Sequence, residues 1–220
     1  MQNRNTINPY TVVRLFEQAL CDYTKALYCV TTTSCTTALL LALAYHLRFR
    51  YEEDRKGMIS WHGRPPIEIP KLTYIGVPMS IIHAGGWPVF HNGRWLGGYE
   101  LGSTKIFDCA RWLRGGMYKP GAMMCLSFHP SKHLGISTHG GAILLDDPIA
   151  DQWLREARFD GRLEDVPSSL PYQPRMVGYH AYMNPVTAAE GLEKLSRLPR
   201  DNEPLPNSNY PDLSLMEVFK

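Results

Sequence analysis

The pattern of apolar and polar residues along the chain predicts strands and helices in turn. Apolar residues recur at helical spacing from Val12 to Tyr23, which predicts a helix over residues 9–25, and a further helix is predicted over residues 148–158. Short apolar runs predict strands, and helical patterns separate several of them. The predicted strands cover residues 27–32, 67–70, 87–90, 104–108 and 122–126, and another follows Gly141. This alternation indicates an α/β fold with a mostly parallel sheet that carries helices on both faces.

Two polar stretches predict where the folded unit is interrupted and where it ends. Residues 48–66 are rich in charge and indicate a solvated connection. Past Pro199 the sequence is rich in Pro, Asn and Asp, which is typical of a linker. We therefore predict one large domain over residues 1–199 and a flexible C-terminal tail over residues 200–220.

The composition narrows the class of protein. The 220 residues are 44% hydrophobic and 20% charged, which is enough for one sizeable core. With 23 basic and 21 acidic residues, the net charge of +2 argues against general electrostatic binding of nucleic acid, so nucleic acid is expected only as a large substrate. Five cysteines without metal-type spacing indicate free thiols in a reducing cytoplasm. The pattern predicts neither a cleaved leader nor a membrane span.

The segment from Ser127 to Lys132 carries the strongest chemical signal. The apolar run before it predicts a buried strand that delivers Ser127 and Lys132 to a turn. Lysine is rarely buried unless a function needs it, and a desolvated lysine is the side chain that forms Schiff bases. Gly140 and Gly141 would permit close backbone approach to a flat ligand. The alternative is a solvated surface lysine.

Three other places put polar or aromatic side chains at the end of a predicted strand. Ser34, Cys35 and Thr36 lie at a strand-turn-helix junction, where hydroxyls and free amides bind an anion or simply cap the helix. Asp108 ends a strand at the sheet edge where α/β folds bind ligands, although turns also favour aspartate. Tyr74 follows another strand, where it could stack on a ligand or belong to the core.

The four segments around Ser34, Tyr74, Asp108 and Lys132, in this order, resemble those of the DegT/DnrJ/EryC1/StrS family of sugar aminotransferases. Members of this family have fold type I and use pyridoxal 5′-phosphate. The resemblance extends from about residue 12 to residue 200. It implies that Lys132 holds the cofactor and that Asp108 keeps the ring nitrogen protonated. It also implies that Tyr74 stacks on the ring and that Arg111 lies beside the ring hydroxyl. Phosphate contacts are implied for Ser34, Cys35, Thr36 and Ser127.

The resemblance has consequences for assembly as well. Residues 178–184 resemble the family segment that reaches across a two-fold axis to the partner's phosphate. This implies a homodimer with composite active sites, in which His180 approaches the phosphate of the partner subunit. The small C-terminal domain that is usual in the family has no counterpart in the pattern, so this chain is expected to be a short form.

The implied function is transfer of an amino group from an amino-acid donor to a keto acceptor, in this family a nucleotide-linked sugar. Two alternatives stay open. An open substrate pocket would suit a decarboxylase, lyase or isomerase that acts on an amino-acid adduct of a large substrate, such as a nucleotide or nucleic-acid base. The missing small domain would suit a catalytically degenerate cofactor-binding or regulatory protein, as would departures from the family pattern at Cys35, Arg111, His180 and Tyr182. The presence of Lys132 and Asp108 argues against this alternative.

Overall fold

The structure is a computed structural model that describes residues 8–55, 63–164, 174–207 and 209–220, with the backbone alone at 49–55. The helices are α1 (Thr11–Thr24), α2 (Cys35–Arg55), α3 (Gly76–His83), α4 (Pro148–Arg158) and α5 (Pro185–Arg197). The strands are β1 (Tyr28–Thr32), β2 (Pro66–Pro70), β3 (Trp87–His91), β4 (Tyr99–Glu100), β5 (Ile106–Asp108), β6 (Met123–Ser127) and β7 (Gly141–Leu145).

The strands form one five-stranded sheet and one two-stranded sheet. The larger sheet has the order β1-β7-β6-β5-β4, and β2 pairs with β3 separately. The α/β class is confirmed, but the sheet is mixed rather than mostly parallel, since only β5–β6 and β2–β3 are parallel. A parallel pair needs a crossover that returns the chain to the same sheet edge. Residues 128–140 instead turn back directly, so β7 runs antiparallel to β6.

Helices cover both faces of the larger sheet, as predicted. Alternate residues of β7 show this, because Ile143 and Leu145 pack in one apolar cluster while Ala142 and Leu144 pack in another. The first cluster includes the buried residues of α2, α3 and α4. The second includes those of α1 and α5. A strand that is buried on both faces is apolar throughout, which is why the sequence from 141 to 145 has no polar position.

The sequence fixes where the later helices begin. Asp147 caps α4 and Asn184 caps α5, since each side-chain oxygen accepts a hydrogen bond from the first free amides of its helix. Proline follows each cap, at a position where its missing N–H costs nothing. The helix predicted over residues 148–158 is confirmed.

A buried ionic cluster joins α1, β1 and α4. Glu17 accepts hydrogen bonds from Arg158 at 2.5 Å, from Arg155 at 2.7 Å and from the Thr31 hydroxyl at 2.8 Å. Arg158 is 1% exposed, so it is not part of a solvated charged face. Burial alone would raise the pKa of Glu17, but the two guanidinium groups lower it to about 2.

The structure corrects the prediction for residues 48–66 in part. Helix α2 continues to Arg55, so the polar stretch begins as helix; residues 56–62 lie outside the described part. The proline-rich stretch at 168–175 also lies largely outside the described residues.

The C-terminal segment packs on the domain, although its composition predicts a flexible tail. Leu213 and Phe219 are buried, and the Phe219 ring lies 5.5 Å from the Phe90 ring. The Leu213 amide donates to the Lys71 carbonyl at 3.0 Å. We call residues 202–207 and 209–213 the C-terminal strap. Within the described residues, no helix is both long and apolar enough to cross a membrane.

Candidate functional site

Eight of the nine predicted site residues line one pocket of about 290 Å³. The pocket lies between the start of α2, the start of α3 and the turns that follow β5 and β6. Its lining residues are Ser34, Cys35, Thr36, Leu39, Thr73, Tyr74, Val77, Trp95, Asp108, Ala110, Arg111, Ser127, His129, Ser131, Lys132, His139, Gly140 and Tyr210. Segments that are distant in sequence therefore converge, as the order of the motifs predicts.

The turn before α2 supplies the polar floor of the pocket. The Ser34 hydroxyl accepts a hydrogen bond from the Thr37 amide at 3.1 Å, so Ser34 caps the helix. Cys35 is buried, and its Sγ lies 4.0 Å from Asp108 Oδ1, directed away from solvent. The positive end of the α2 dipole opens into the pocket beside the Ser34 and Thr36 side chains. This arrangement favours an anion.

The glycine pair before β7 has a different role from the one that its sequence suggests. A Cβ on Gly141 would lie 2.4 Å from the carbonyl carbon of Ser34 and 2.5 Å from the Cys35 nitrogen. The close approach that Gly141 permits is therefore to the backbone of the α2 turn and not to a flat ligand. Gly140 does line the pocket, where a Cβ would meet Phe128 and Met183.

Lys132 lies in the turn after β6, with its side chain half-buried. Its amide donates to the His129 carbonyl at 2.8 Å, which closes the turn. Burial lowers the pKa of the Lys132 amine, the Arg111 guanidinium lowers it further, and the Asp108 carboxylate partly opposes both. Only the neutral amine acts as a nucleophile or base, so these surroundings favour a reactive lysine.

Asp108 is the buried last residue of β5, 4% exposed. Its Oδ1 accepts a hydrogen bond from the Ala110 amide at 2.9 Å. Burial raises the pKa of Asp108, while the Ala110 amide and the Lys132 charge lower it. The net effect raises the pKa of Asp108, and the Ala110 amide fixes the position of its carboxyl group on the pocket wall.

Tyr99 was missed in the sequence, where it belongs to a glycine-rich stretch without a clear signal. It pairs directly with Asp108 across β4 and β5, and its hydroxyl lies 2.6 Å from the Thr73 hydroxyl. Burial and the Asp108 charge raise the pKa of Tyr99 well above its ordinary value, so it stays a neutral phenol. The strand register that brings it to Asp108 is the one signal that could have found it.

Tyr74 lies over the start of α2 at the rim of the pocket. Its ring is 56% exposed, so it is not a core tyrosine. Gly76 makes room for it, because a Cβ there would lie 2.7 Å from Thr36 Oγ1 and 2.8 Å from Tyr74 Cε1. An exposed ring above an anion site offers a stacking surface to a planar ligand.

Two histidines face the pocket beside Lys132. The His129 and His139 rings are 5.1 Å apart, and His129 Nδ1 lies 2.9 Å from the Ser131 hydroxyl. Burial lowers the pKa of His129, and the neighbouring His139 and Lys132 lower it further. His139 has a φ of 84°, a strained backbone for a residue other than glycine. Sequence reasoning did not assign a role to His139.

His180 does not line this pocket. Its side chain is 73% exposed, and Nδ1 lies 3.1 Å from Asp160 Oδ1. Its ring also meets the Tyr182 ring at 4.6 Å. In the sequence, His180 was expected at a partner's phosphate, so a position outside the pocket of its own chain is compatible with that prediction and does not test it.

Another cavity, of about 610 Å³, lies among α1, β1 and α4 and contains none of the predicted site residues. Its arginine and carboxylate groups satisfy one another, since Arg155 binds Glu17 at 2.7 Å and Asp151 at 2.9 Å. The charges in this cavity therefore tie helices together, and the pocket around Lys132 is the better candidate site.

Solved structures share this fold. The sugar aminotransferase CalS13 from Micromonospora echinospora has a TM-score of 0.68 and 19% identity, over 86% of this chain and 61% of that one. A DegT DnrJ EryC1 StrS aminotransferase from Brucella abortus has a TM-score of 0.65 and 19% identity, over 86% of this chain and 59% of that one. NtdA from Bacillus subtilis with bound cofactor PMP has a TM-score of 0.63 and 18% identity, over 85% of this chain and 48% of that one. The chain spans about half to three fifths of the length of these proteins.

No curated protein sequence matches the chain. The model of the DegT/DnrJ/EryC1/StrS aminotransferase family does match it, over residues 1–92 and 115–204. The match includes the α2 turn, Tyr74 and the segment from Ser127 to Lys132, and it leaves out Asp108 and Arg111. Since the matched residues make up most of the sequence, this chain belongs to the DegT/DnrJ/EryC1/StrS aminotransferase family.

Proposed function

We propose that this chain is a pyridoxal 5′-phosphate-dependent aminotransferase. The observation that carries the proposal is that a half-buried lysine and a buried aspartate line the same pocket, together with the positive end of a long helix. Lys132 would attach the cofactor, Asp108 would contact its ring, and the start of α2 would bind its phosphate. The structural relatives named above are aminotransferases, which supports this assignment.

The phosphate end of the pocket fits the cofactor. The Ser34, Thr36 and Ser127 hydroxyls surround the start of α2, where helix amides and the helix dipole favour a phosphate. Cys35 would contribute its backbone amide only, because its thiol is directed to Asp108. Cysteine at this position therefore leaves the phosphate donors in place.

The part of the pocket around Asp108, Tyr74 and Arg111 fits the ring of the cofactor. When bound, the cofactor supplies an aldehyde for attachment to lysine and a protonated ring that withdraws electrons from the substrate. Asp108 would hold the proton on the ring nitrogen, and Tyr74 would stack on the ring face. Arg111 would lie beside the ring oxygen, where its permanent charge favours the ionised form of that oxygen.

Lys132 would also move protons. Once an amino donor has replaced it on the cofactor, its amine is free to take the proton from the substrate carbon and to return it elsewhere. The surroundings lower the pKa of Lys132, which favours the neutral amine that takes up a proton.

The amino donor is an amino acid and the acceptor a keto compound, which we propose to be a nucleotide-linked sugar because CalS13 is a sugar aminotransferase. The test is to mix the purified yellow protein with glutamate. Formation of pyridoxamine 5′-phosphate and 2-oxoglutarate supports amino transfer. Release of carbon dioxide or ammonia without pyridoxamine phosphate would instead indicate a decarboxylase or lyase. No change at all with a panel of amino acids would indicate a cofactor-binding protein without catalysis.

We further propose that the active enzyme is a homodimer in the cytoplasm. The segment that contains His180 would reach the phosphate of the partner subunit, so that each site is built from two chains. A charged imidazole could take the place of an amide donor there. The five buried free cysteines suit a reducing compartment.

A further inference from the structure

The C-terminal strap contacts segments on two sides of the pocket, near Arg111 and near Lys132, and it also contacts Trp95 and Lys71. The Asn202 side chain donates to the Leu113 carbonyl at 2.9 Å, and the Trp112 indole donates to the Asn202 carbonyl at 3.2 Å. The Glu203 carbonyl accepts a hydrogen bond from His133, next to Lys132, at 2.8 Å.

The later part of the strap contacts Trp95 and Lys71. The Asn207 side chain donates to the Trp95 carbonyl at 2.5 Å, and the Tyr210 ring stacks on the Trp95 ring with centroids 6.2 Å apart. Asp212 forms an ion pair with Lys71 at 2.6 Å.

Most of the strap and the segment that it contacts lie outside the residues that the family model matches. The matched residues stop at 92, resume at 115 and end at 204. Residues 93–114 carry Trp95, Asp108 and Arg111, and Leu205, Pro206, Asn207 and Tyr210 pack against Arg111 and Trp95. These two segments meet at one face of the pocket.

Arg111 is the pocket residue that the strap holds most directly. Its carbonyl accepts from the Leu205 amide at 2.9 Å, and its guanidinium donates to the Pro206 carbonyl. The backbone of Arg111 is also fixed by a bond from its amide to the Gly97 carbonyl at 3.3 Å. A long side chain loses rotational freedom when it is held on both backbone and guanidinium, and the strap provides both contacts.

The charged and titratable groups around the Lys132 amine include Asp108, Arg111, Cys35, His129 and His139. Arg111 is the permanent cation of this group, and it opposes protonation of the amine. Asp108 and Cys35 act in the opposite direction. The position of the Arg111 guanidinium therefore influences how readily Lys132 gives up its proton.

We propose that the C-terminal strap is a positioning element of the active site, which holds the Arg111 guanidinium in the pocket that Lys132 also lines and so keeps the Lys132 amine reactive. The biological purpose of a reactive Lys132 rests on the proposed function, but the positioning itself does not. Leu205 acts through Arg111 and is a positioning residue, since it is not among the residues that line the pocket.

The experiment measures the reactivity of Lys132 without the cofactor. The full chain, freed of cofactor, is labelled with a trace of acetic anhydride at a series of pH values, and modification of the Lys132 peptide is quantified by mass spectrometry. Leu205→Pro removes the N–H that binds the Arg111 carbonyl, whereas the matched control Leu205→Ala keeps it. Arg111→Gln removes the charge itself.

We expect Leu205→Pro and Arg111→Gln each to slow labelling of Lys132 about threefold at neutral pH and to leave it unchanged at high pH, where the amine is neutral in every variant. Leu205→Ala should match the wild type. The double variant should be no slower than Arg111→Gln alone, because both changes act on one interaction. Asn202→Ala, which loosens the strap without altering the backbone at Leu205, should give a smaller change in the same direction.

An unchanged labelling profile in Leu205→Pro and Asn202→Ala, with both proteins folded by circular dichroism, would overturn the proposal. If Leu205→Pro does not fold, Asn202→Ala decides the question alone. Failure of the proposed function gives a different result, since the wild type would then not turn yellow with pyridoxal 5′-phosphate whatever the labelling profile shows.

Discussion

Lys132 is the single residue on which the proposed chemistry depends most. Purified protein with pyridoxal 5′-phosphate should be yellow, and Lys132→Ala should be colourless with an unchanged circular dichroism spectrum, because the attachment point is lost while the turn remains. Lys119→Ala is the matched control, since that exposed lysine lies outside the pocket and should keep the colour. Colour that persists in Lys132→Ala would place the attachment on another lysine.

The substitution Asp108→Asn tests the ring contact with a side chain of the same shape. The variant should retain the cofactor but lose turnover by about a hundredfold or more, since a neutral amide does not stabilise a protonated ring nitrogen. Single-turnover kinetics with glutamate, together with the absorbance of the bound cofactor, measure both quantities. Full turnover would show that this buried aspartate serves the fold alone.

Position 141 requires glycine because the neighbouring backbone leaves no space for a Cβ atom. Gly141→Ala should destabilise the protein by about 3 kcal/mol or more, because the new methyl group would overlap the backbone of the α2 turn, which cannot rotate away. Gly140→Ala is the comparison, since its closest clash is with the flexible end of Met183 at 3.0 Å and should cost less. Urea unfolding gives both free energies, and equal values would contradict the close approach.

At the scale of elements, the ionic cluster of Glu17, Arg155 and Arg158 predicts acid sensitivity. The pKa of Glu17 falls from an ordinary 4.5 to about 2 on folding, so its contribution to stability is complete above about pH 4.5 and is lost as the pH falls towards about 2. Glu17→Gln should lower the free energy of unfolding by about 3 kcal/mol at neutral pH, because the buried Arg158 loses the nearer of its two carboxylate partners.

The same variant should flatten the dependence of stability on pH in this acidic range. Urea unfolding at several pH values measures it, with the exposed Glu193→Gln as a control. A slope in Glu17→Gln equal to that of the wild type would show that other carboxyl groups cause the acid sensitivity.

Elements with a strong local signal were predictable from the sequence, and features that depend on distant partners were not. Helix α4 follows from its cap, its proline and its apolar spacing, all of which lie within a dozen residues. The direction of β7 depends on how the chain returns from β6, and the position of Tyr99 depends on a register with β5. Neither is encoded in local periodicity, which explains both the mixed sheet and the missed tyrosine.

The packing of residues 200–220 on the domain could not be predicted from the sequence for a related reason. Proline-rich polar sequence is typical of a linker, because few of its side chains can be buried. Leu213 and Phe219 are the exceptions, and two buried apolar side chains, aided by backbone bonds to residues 71 and 111, hold this stretch on the domain. The motif residues around the pocket were identified correctly as neighbours because fold type I places those motifs at one sheet edge.

At the scale of the whole molecule, sedimentation tests the proposed dimer. We expect the cofactor-loaded protein to sediment as a dimer or larger, and we expect His180→Ala to weaken cofactor binding about tenfold without changing the sedimentation. The control is Asp160→Asn, which removes the observed intramolecular partner of His180. A monomer with full cofactor occupancy would refute the composite site.

The pairing of β1 with β7 also bears on how the chain is made. Tyr28 lies beside Leu145, so during synthesis β1 waits for more than a hundred further residues before its partner strand exists. Until then an apolar strand with open hydrogen-bonding edges is exposed, which is the kind of segment that self-associates and that chaperones bind. Contacts of such long range also slow folding. Nascent chains that are stalled before residue 145 should therefore be the ones most dependent on chaperones during synthesis.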